Sequence, residues 1–199
     1  MADDKKGRDK QARDAKRRQQ ERDIAEARER WEEPEPTIDA AELDDVEADL
    51  EPLEFPAAGA EIVDAVGTHE VESEERTYTI EELIPDTETE TFDAPTAVRA
   101  RIQRPTVAAA MKRIVEASQQ FQNTDLRGSQ RDAYEKTFRE LGAIDADDDD
   151  QGIQVVRDWI VERIREKESL PGSRAVRRRA AKFCRANGYE VRNSEWLGV

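Results

Sequence analysis

Ser173-Arg-Ala-Val-Arg-Arg-Arg-Ala-Ala-Lys-Phe-Cys-Arg-Ala-Asn-Gly188 holds six positive charges and no acid in a chain whose formal net charge is −15. Val176, Ala180, Phe183 and Cys184 recur at steps of three and four, which predicts a helix with one apolar stripe. Ser173 is the expected N-cap, because its hydroxyl can accept from the free amides of a first turn. Asn187-Gly188 is the expected stop, since glycine tolerates the left-handed closing conformation. Arg174, Arg177, Arg178, Lys182 and Arg185 then spread over the remaining surface. Such a surface is either a solvated helix face or one that meets an anion, most naturally nucleic acid.

Working outward, Leu170-Pro-Gly172 turns the chain into this helix from a strongly amphipathic one over about 152–167, with Ile153, Val156, Trp159, Ile160 and Ile164 inward and Asp150 as its cap. Two helices joined by about five residues resemble a helix-turn-helix, in which the second helix places its first side chains in the major groove. In that reading Arg174, Arg177 and Arg178 are the phosphate or base contacts. The Pro-Gly turn departs from the tighter connection such units have.

Residues 145–152 form an acidic loop. With Asp147 as first position, Asp149 falls third, Gln151 fifth, Gly152 sixth and Asp158 twelfth, partly matching a calcium-binding EF-hand. Gln is poor at the fifth position and Asp158 is shorter than the bidentate Glu, so a solvated acidic linker ending in a helix cap explains the residues with fewer demands. No metal site is therefore expected, and one cysteine with one histidine cannot make a structural zinc centre. The stretch 105–144 reads as a helical pair. Val107, Met111, Ile114, Val115 and Phe121 supply the first helix; the second is capped by Ser129, buries Tyr134, Phe138 and Leu141, and ends at Gly142.

Residues 37–104 read as a small acidic α+β domain. Thr37 or Asp39 caps a helix with Leu43, Val46 and Leu50 inward. A second helix carries Ile62, Val63 and Val66 up to Gly67. His69-Glu-Val71 and Arg76-Thr-Tyr-Thr-Ile80 alternate polar and apolar residues and predict a two-stranded hairpin. Glu81–Ile84 is one helical turn stopped by Pro85. Asp93 is expected to cap a helix with Pro95 in its first turn and Val98 and Ile102 inward. Residues 1–36 have helix propensity but almost no apolar face, and are expected to be a charged, disordered tail or a basic arm that orders on a partner. Beyond the basic helix, Tyr189–Arg192 suits a strand or extended segment, and Trp196-Leu197 is expected to fold back onto the bundle. The fold class expected is mainly α: a small α+β unit with a β-hairpin, then a helical C-terminal module over 153–199.

Charge is unevenly placed. Residues 31–96 hold 23 acids and one base, which supplies more than the whole net negative charge; overall the bases are 24 Arg against 8 Lys. An acid-rich, lysine-poor composition resembles cytoplasmic proteins of halophilic archaea. There is no apolar run long enough for a membrane span and no signal-like apolar core at the start. A single cysteine admits no internal disulfide and fits a reducing cytoplasm. Cys184 sits on the apolar stripe and is expected to be buried core, although basic neighbours lower a thiol pKa. His69 has no neighbouring nucleophile, no phosphate loop is present, and no cofactor or enzyme activity is expected.

Leu53-Glu-Phe-Pro-Ala57, Glu61-Ile-Val-Asp-Ala-Val-Gly67 and Phe92-Asp-Ala-Pro-Thr-Ala-Val98 carry a resemblance to a haloarchaeal family of unknown function, as does the charged start Asp4-Lys-Lys-Gly-Arg-Asp-Lys-Gln-Ala-Arg13. The resemblance covers roughly the first half of the chain, leaves out residues 106–199, and implies no activity and no functional residue. The reading is a non-enzymatic interaction protein of a halophilic cytoplasm. Its basic helix meets DNA or RNA or, alternatively, acidic protein surface, whether a partner's or the 31–96 segment of the same chain.

Overall fold

The computed structural model describes residues 38–189 apart from 74, 75, 122, 123, 125, 127, 145, 146 and 148. The expectations for the tail over 1–36, for Thr37 and for the segment 190–199 with Trp196-Leu197 lie outside the described residues. Within them the chain is mainly helical, with eight helices and two two-stranded antiparallel sheets.

Helix α1 (Ala40–Asp49) starts where the Asp39 carboxylate accepts the Ala41 amide at 2.7 Å, and it turns Leu43, Val46 and the following Leu50 inward. Strand β1 (Ala57–Ala58) leads into α2 (Gly59–Val66), whose Ile62 and Val66 are buried while Val63 packs at the edge. β2 (Glu70–Glu72) pairs with β3 (Thr77–Thr79) in the register Glu70↔Thr79, Val71↔Tyr78, Glu72↔Thr77. Directly opposed residues share a face, so Val71 and Tyr78 both enter the core while Glu70 and Glu72 stay exposed.

The single turn α3 (Ile80–Leu83) follows at once, so Ile80 belongs to it rather than to the strand. β4 (Thr91–Phe92) returns to pair with β1, and α4 (Pro95–Ile102) buries Val98 and Ile102. Ala94, not Asp93, occupies the N-cap of α4 and makes no side-chain cap bond; Pro95 comes at the start of the helix, where its missing N–H costs nothing.

α5 (Pro105–Ser118) then serves two cores. Its Ala108 closes the first, built from α1–α4 and the sheets. Its Ala110, Met111, Ile114 and Val115 open the second, shared with α6 (Gly128–Gly142), α7 (Gln151–Lys167) and α8 (Ser173–Asn187). Successive residues turn by about 100° around a helix, so neighbours in sequence can face different cores. Tyr134, Phe138 and Leu141 of α6 and Ile153, Val156, Ile160 and Ile164 of α7 fill the second core, with Trp159 only partly covered. α6 begins at Gly128, so Ser129 lies inside it rather than at its cap.

Candidate nucleic-acid interface

Two anchors set α8 in place. In the five residues after α7, the Pro171 carbonyl accepts the Tyr134 hydroxyl and the Gln130 side-chain amide, the latter at 2.9 Å, which ties the turn to α6. At the far end Gly188 adopts φ 71°, the left-handed closure expected of it, and the Tyr189 amide donates to the Cys184 carbonyl at 3.0 Å. The start differs from expectation: Gly172 takes the N-cap position and Ser173 is the first helical residue, with no side-chain cap bond.

Between the anchors, Val176, Ala180, Ala181, Phe183 and Cys184 are buried. Arg174, Arg178, Lys182 and Arg185 are exposed, and Arg177 is half-buried. At about 100° per residue the four exposed bases fall within an arc of about 80°, and at about 1.5 Å per residue they span about 16 Å of helix. Arg177 stands about 60° to one side of Arg174 by the same measure, so the structure sets it apart from the other four. A helix of this width fits the major groove, and its guanidinium groups suit phosphate oxygens and guanine edges.

None of these five bases has an ion-pair partner among the described residues. Four arginines elsewhere behave otherwise. Arg99 pairs with Asp44 and, at 3.2 Å, with Glu47 on α1; the Asp44 hydrogen bond is the main cause of a guanidinium pKa above its ordinary value. Arg76 pairs with Glu82 at 3.3 Å and lies 4.0 Å from the Tyr78 ring centre. Arg101 reaches Glu90 at 3.2 Å and Glu135 at 2.7 Å, while Arg131 of α6 reaches the same Glu90 at 3.0 Å. Glu90 is fully buried and neither oxygen makes a well-aligned hydrogen bond, so its neutralisation rests on those two guanidinium charges. Asp44, Glu47, Glu82 and Glu90 of the acidic segment thus pair with Arg76, Arg99, Arg101 and Arg131, and no ion pair joins these four acids to α8 among the described residues. Sequence reading missed this cluster, because Glu90, Arg101 and Arg131 are far apart in the chain and no local pattern marks them.

Residues 39–114 match the model of a family of unknown function (DUF5789). No curated protein and no solved structure matches the chain. The DUF5789 match takes in all of α1–α4, both sheets and most of α5, and contains the Leu53–Ala57, Glu61–Gly67 and Phe92–Val98 stretches. It starts after the Asp4–Arg13 stretch and runs past residue 105. α8 lies beyond it, so the basic face is outside what the DUF5789 match describes.

The other singled-out residues resolve into local structure. Asp147 is buried, and its two oxygens accept the amides of Gln151 at 3.1 Å and Gly152 at 2.7 Å. It is therefore Asp147, not Asp150, whose carboxylate caps α7; Asp150 sits at the N-cap position with φ 51° and makes no side-chain cap bond. Gly152 is helical rather than the pivot of a metal loop. A Cβ there would lie 2.9 Å from the Phe183 ring, 3.0 Å from Asp147 and 3.1 Å from Leu141, so the glycine permits close packing of α6, α7 and α8. Among the described residues no group of three or more His, Cys, Asp or Glu side chains is placed to hold a metal ion. Nor is any helix among them long and apolar enough to cross a membrane.

Burial pushes the Cys184 thiol pKa up, with the Asp147 carboxylate adding to it against the lowering influence of Arg185. That is the reverse of an activated nucleophile. His69 Nδ1 lies 3.1 Å from Asp49, which ties the hairpin to α1.

Proposed function

We propose that this is a non-enzymatic, nucleic-acid-binding protein of a salt-rich cytoplasm, with the exposed face of α8 as its contact surface. The observation that carries the reading is the contrast among arginines: Arg76, Arg99, Arg101 and Arg131 are ion-paired, while Arg174, Arg178, Lys182 and Arg185 share one exposed face with no described carboxylate against them. Unpaired bases on one rigid face favour an anionic partner. The acidic, arginine-rich composition supports the salt-rich setting, where screening is severe and close guanidinium–phosphate hydrogen bonds outlast diffuse attraction. Arg174, Arg178, Lys182 and Arg185 make the contacts, with Arg177 at their edge.

Fluorescence anisotropy of labelled DNA and RNA with the full chain, across a KCl series to about 1 M, tests this reading. Binding by the parent chain that is lost in an Arg178→Glu, Lys182→Glu variant supports it. Binding left unchanged by the charge reversal, or absent for both nucleic acids at every salt concentration, overturns it. The same variant losing an acidic protein partner instead would assign the face to protein carboxylates.

A further inference from the structure

Helices α7 and α8 are joined by residues 168–172 and bury their inner sides in one core. Phe183, late in α8, faces Gly152 at the start of α7, so the two helices run antiparallel. The outer side of each carries one sign of charge. On α8 it is the row Arg174, Arg178 and Lys182. On α7 the exposed Asp158, Glu162 and Glu166 recur at steps of four, opposite the buried Ile153, Val156, Ile160 and Ile164. The three acids line one cleft together with Trp159 and with Arg179 of α8, which places the acidic row on the same outer face as the basic one. Arg165 stands about 60° from Glu162 around α7, on the side toward α5.

The two rows do not pair within the chain. Asp158 bonds its neighbour Arg157 at 2.7 Å and Glu166 lies 3.8 Å from Arg163, both on α7 itself; no ion pair joins one row to the other among the described residues. Their spacing nevertheless matches. In a hairpin centred on residue 170, positions equally far from the centre lie at equal height. Glu166 and Arg174 are each four residues away, Glu162 and Arg178 eight, and Asp158 and Lys182 twelve. Rows of opposite sign at equal heights, both turned outward, are complementary to a copy of themselves.

We propose that this outer face of α7 and α8 docks a second copy of the same chain, related by a two-fold axis parallel to the helices. Turning a copy by 180° about that axis sets its α7 over this α8 and its α8 over this α7. Each of the three height-matched pairs then forms twice across the interface. An axis running across the helices would instead lay acid on acid, so the charge pattern selects one arrangement. Val155 and Trp159, only partly covered by their own core, lie on the α8 side of the acidic row. They come together beside the axis with their counterparts, giving an apolar centre with a charged rim. Two helices about 25 Å long and about 10 Å wide offer about 500 Å² a side, about 1,000 Å² in all, which suits a weak dimer. Such self-association needs no nucleic acid, and the two compete for the same row of bases.

Sedimentation equilibrium of the full chain without nucleic acid, at KCl concentrations from about 0.15 to 1 M, tests the docking. The expected result is a monomer–dimer equilibrium with Kd of about 10–100 μM at the lowest salt, weakening as salt rises. Arg178→Glu with Lys182→Glu places acids over acids and should raise Kd at least about tenfold. Asp158→Arg with Glu162→Arg places bases over bases and should do the same. An equal mixture of these two double variants should dimerise again, as should one chain carrying all four substitutions, because both rows then match; this recovery also shows that the variants fold. A chain that stays monomeric at every salt concentration overturns the proposal. So does a dimer indifferent to both double variants, or a mixture of them that remains monomeric. With nucleic acid left out, this docking and the nucleic-acid reading can each fail without the other.

Discussion

Arginine plays opposite parts in two regions of this molecule. Arg101 and Arg131 converge on the buried Glu90, joining α4 to α6 across the boundary between the two cores. Arg174 and Arg178 of α8 stand in solvent with no described partner. Both sets carry the same charge, and burial decides what it does. In the first set removal of one member leaves an uncompensated charge inside the protein; in the second the charge is hydrated and ready for an external anion. The comparison teaches that the part of a basic sequence left open to an external anion is the part the fold leaves unpaired, which counting Lys and Arg does not reveal.

The sharpest way to break that comparison is Glu90→Ala. It leaves the two guanidinium groups unbalanced and is expected to lower stability by about 3–5 kcal/mol, read from the urea midpoint. A loss near zero would mean water already compensates these charges and the two sets of arginines are alike. Gly152→Ala comes next, because its Cβ would press on Phe183 and Leu141 at the junction that seats α8; a loss of about 1–3 kcal/mol is expected in thermal unfolding.

The turn before α8 offers a pH test. Burial raises the Tyr134 pKa above its ordinary value, outweighing the lowering effect of the Gln130 hydrogen bond. A raised folded-state pKa gives stability that is intact below the unfolded-state value and is lost as the pH climbs toward the folded one. Stability should therefore fall above about pH 10, by at most about 1.4 kcal/mol per pH unit from this group. In Tyr134→Phe that share of the slope should vanish, leaving the part due to the Cys184 thiol, which is raised in the same direction. The smallest expected change in stability belongs to Arg178→Glu with Lys182→Glu, within about 0.5 kcal/mol. If this pair instead destabilised the protein by several times that amount, the outward face of α8 would be part of the structure rather than a free surface.

Much of the architecture was legible in the sequence because periodicity reports burial. The stripes of α1, α7 and α8, the hairpin pairing Val71 with Tyr78, and the Gly188 stop all follow from local patterns. Helix starts were less legible. Asp150, Asp93, Ser129 and Ser173 all have capping chemistry, yet the caps of α7, α4 and α8 are made elsewhere or without a side chain, because the approach path of the preceding loop decides which oxygen reaches the free amides. For α7 that oxygen belongs to Asp147, three residues upstream of the expected cap. Gly152 matched a metal-loop pattern by spacing alone, whereas its cause lies in side chains of two other helices. For the basic face, sequence supplied the five bases, and packing separated the exposed four from Arg177 and turned Arg179 toward α7. The Glu90 cluster had no signal at all, since long-range charge pairing leaves no period in a sequence.

α5 presents one flank to the first core through Ala108 and another to the second through Met111, Ile114 and Val115. The segment that matches the family of unknown function ends at residue 114, inside this helix. A protein bearing that segment alone would therefore carry an uncovered greasy seam along its last helix. In this chain α6, α7 and α8 cover that seam with the second core.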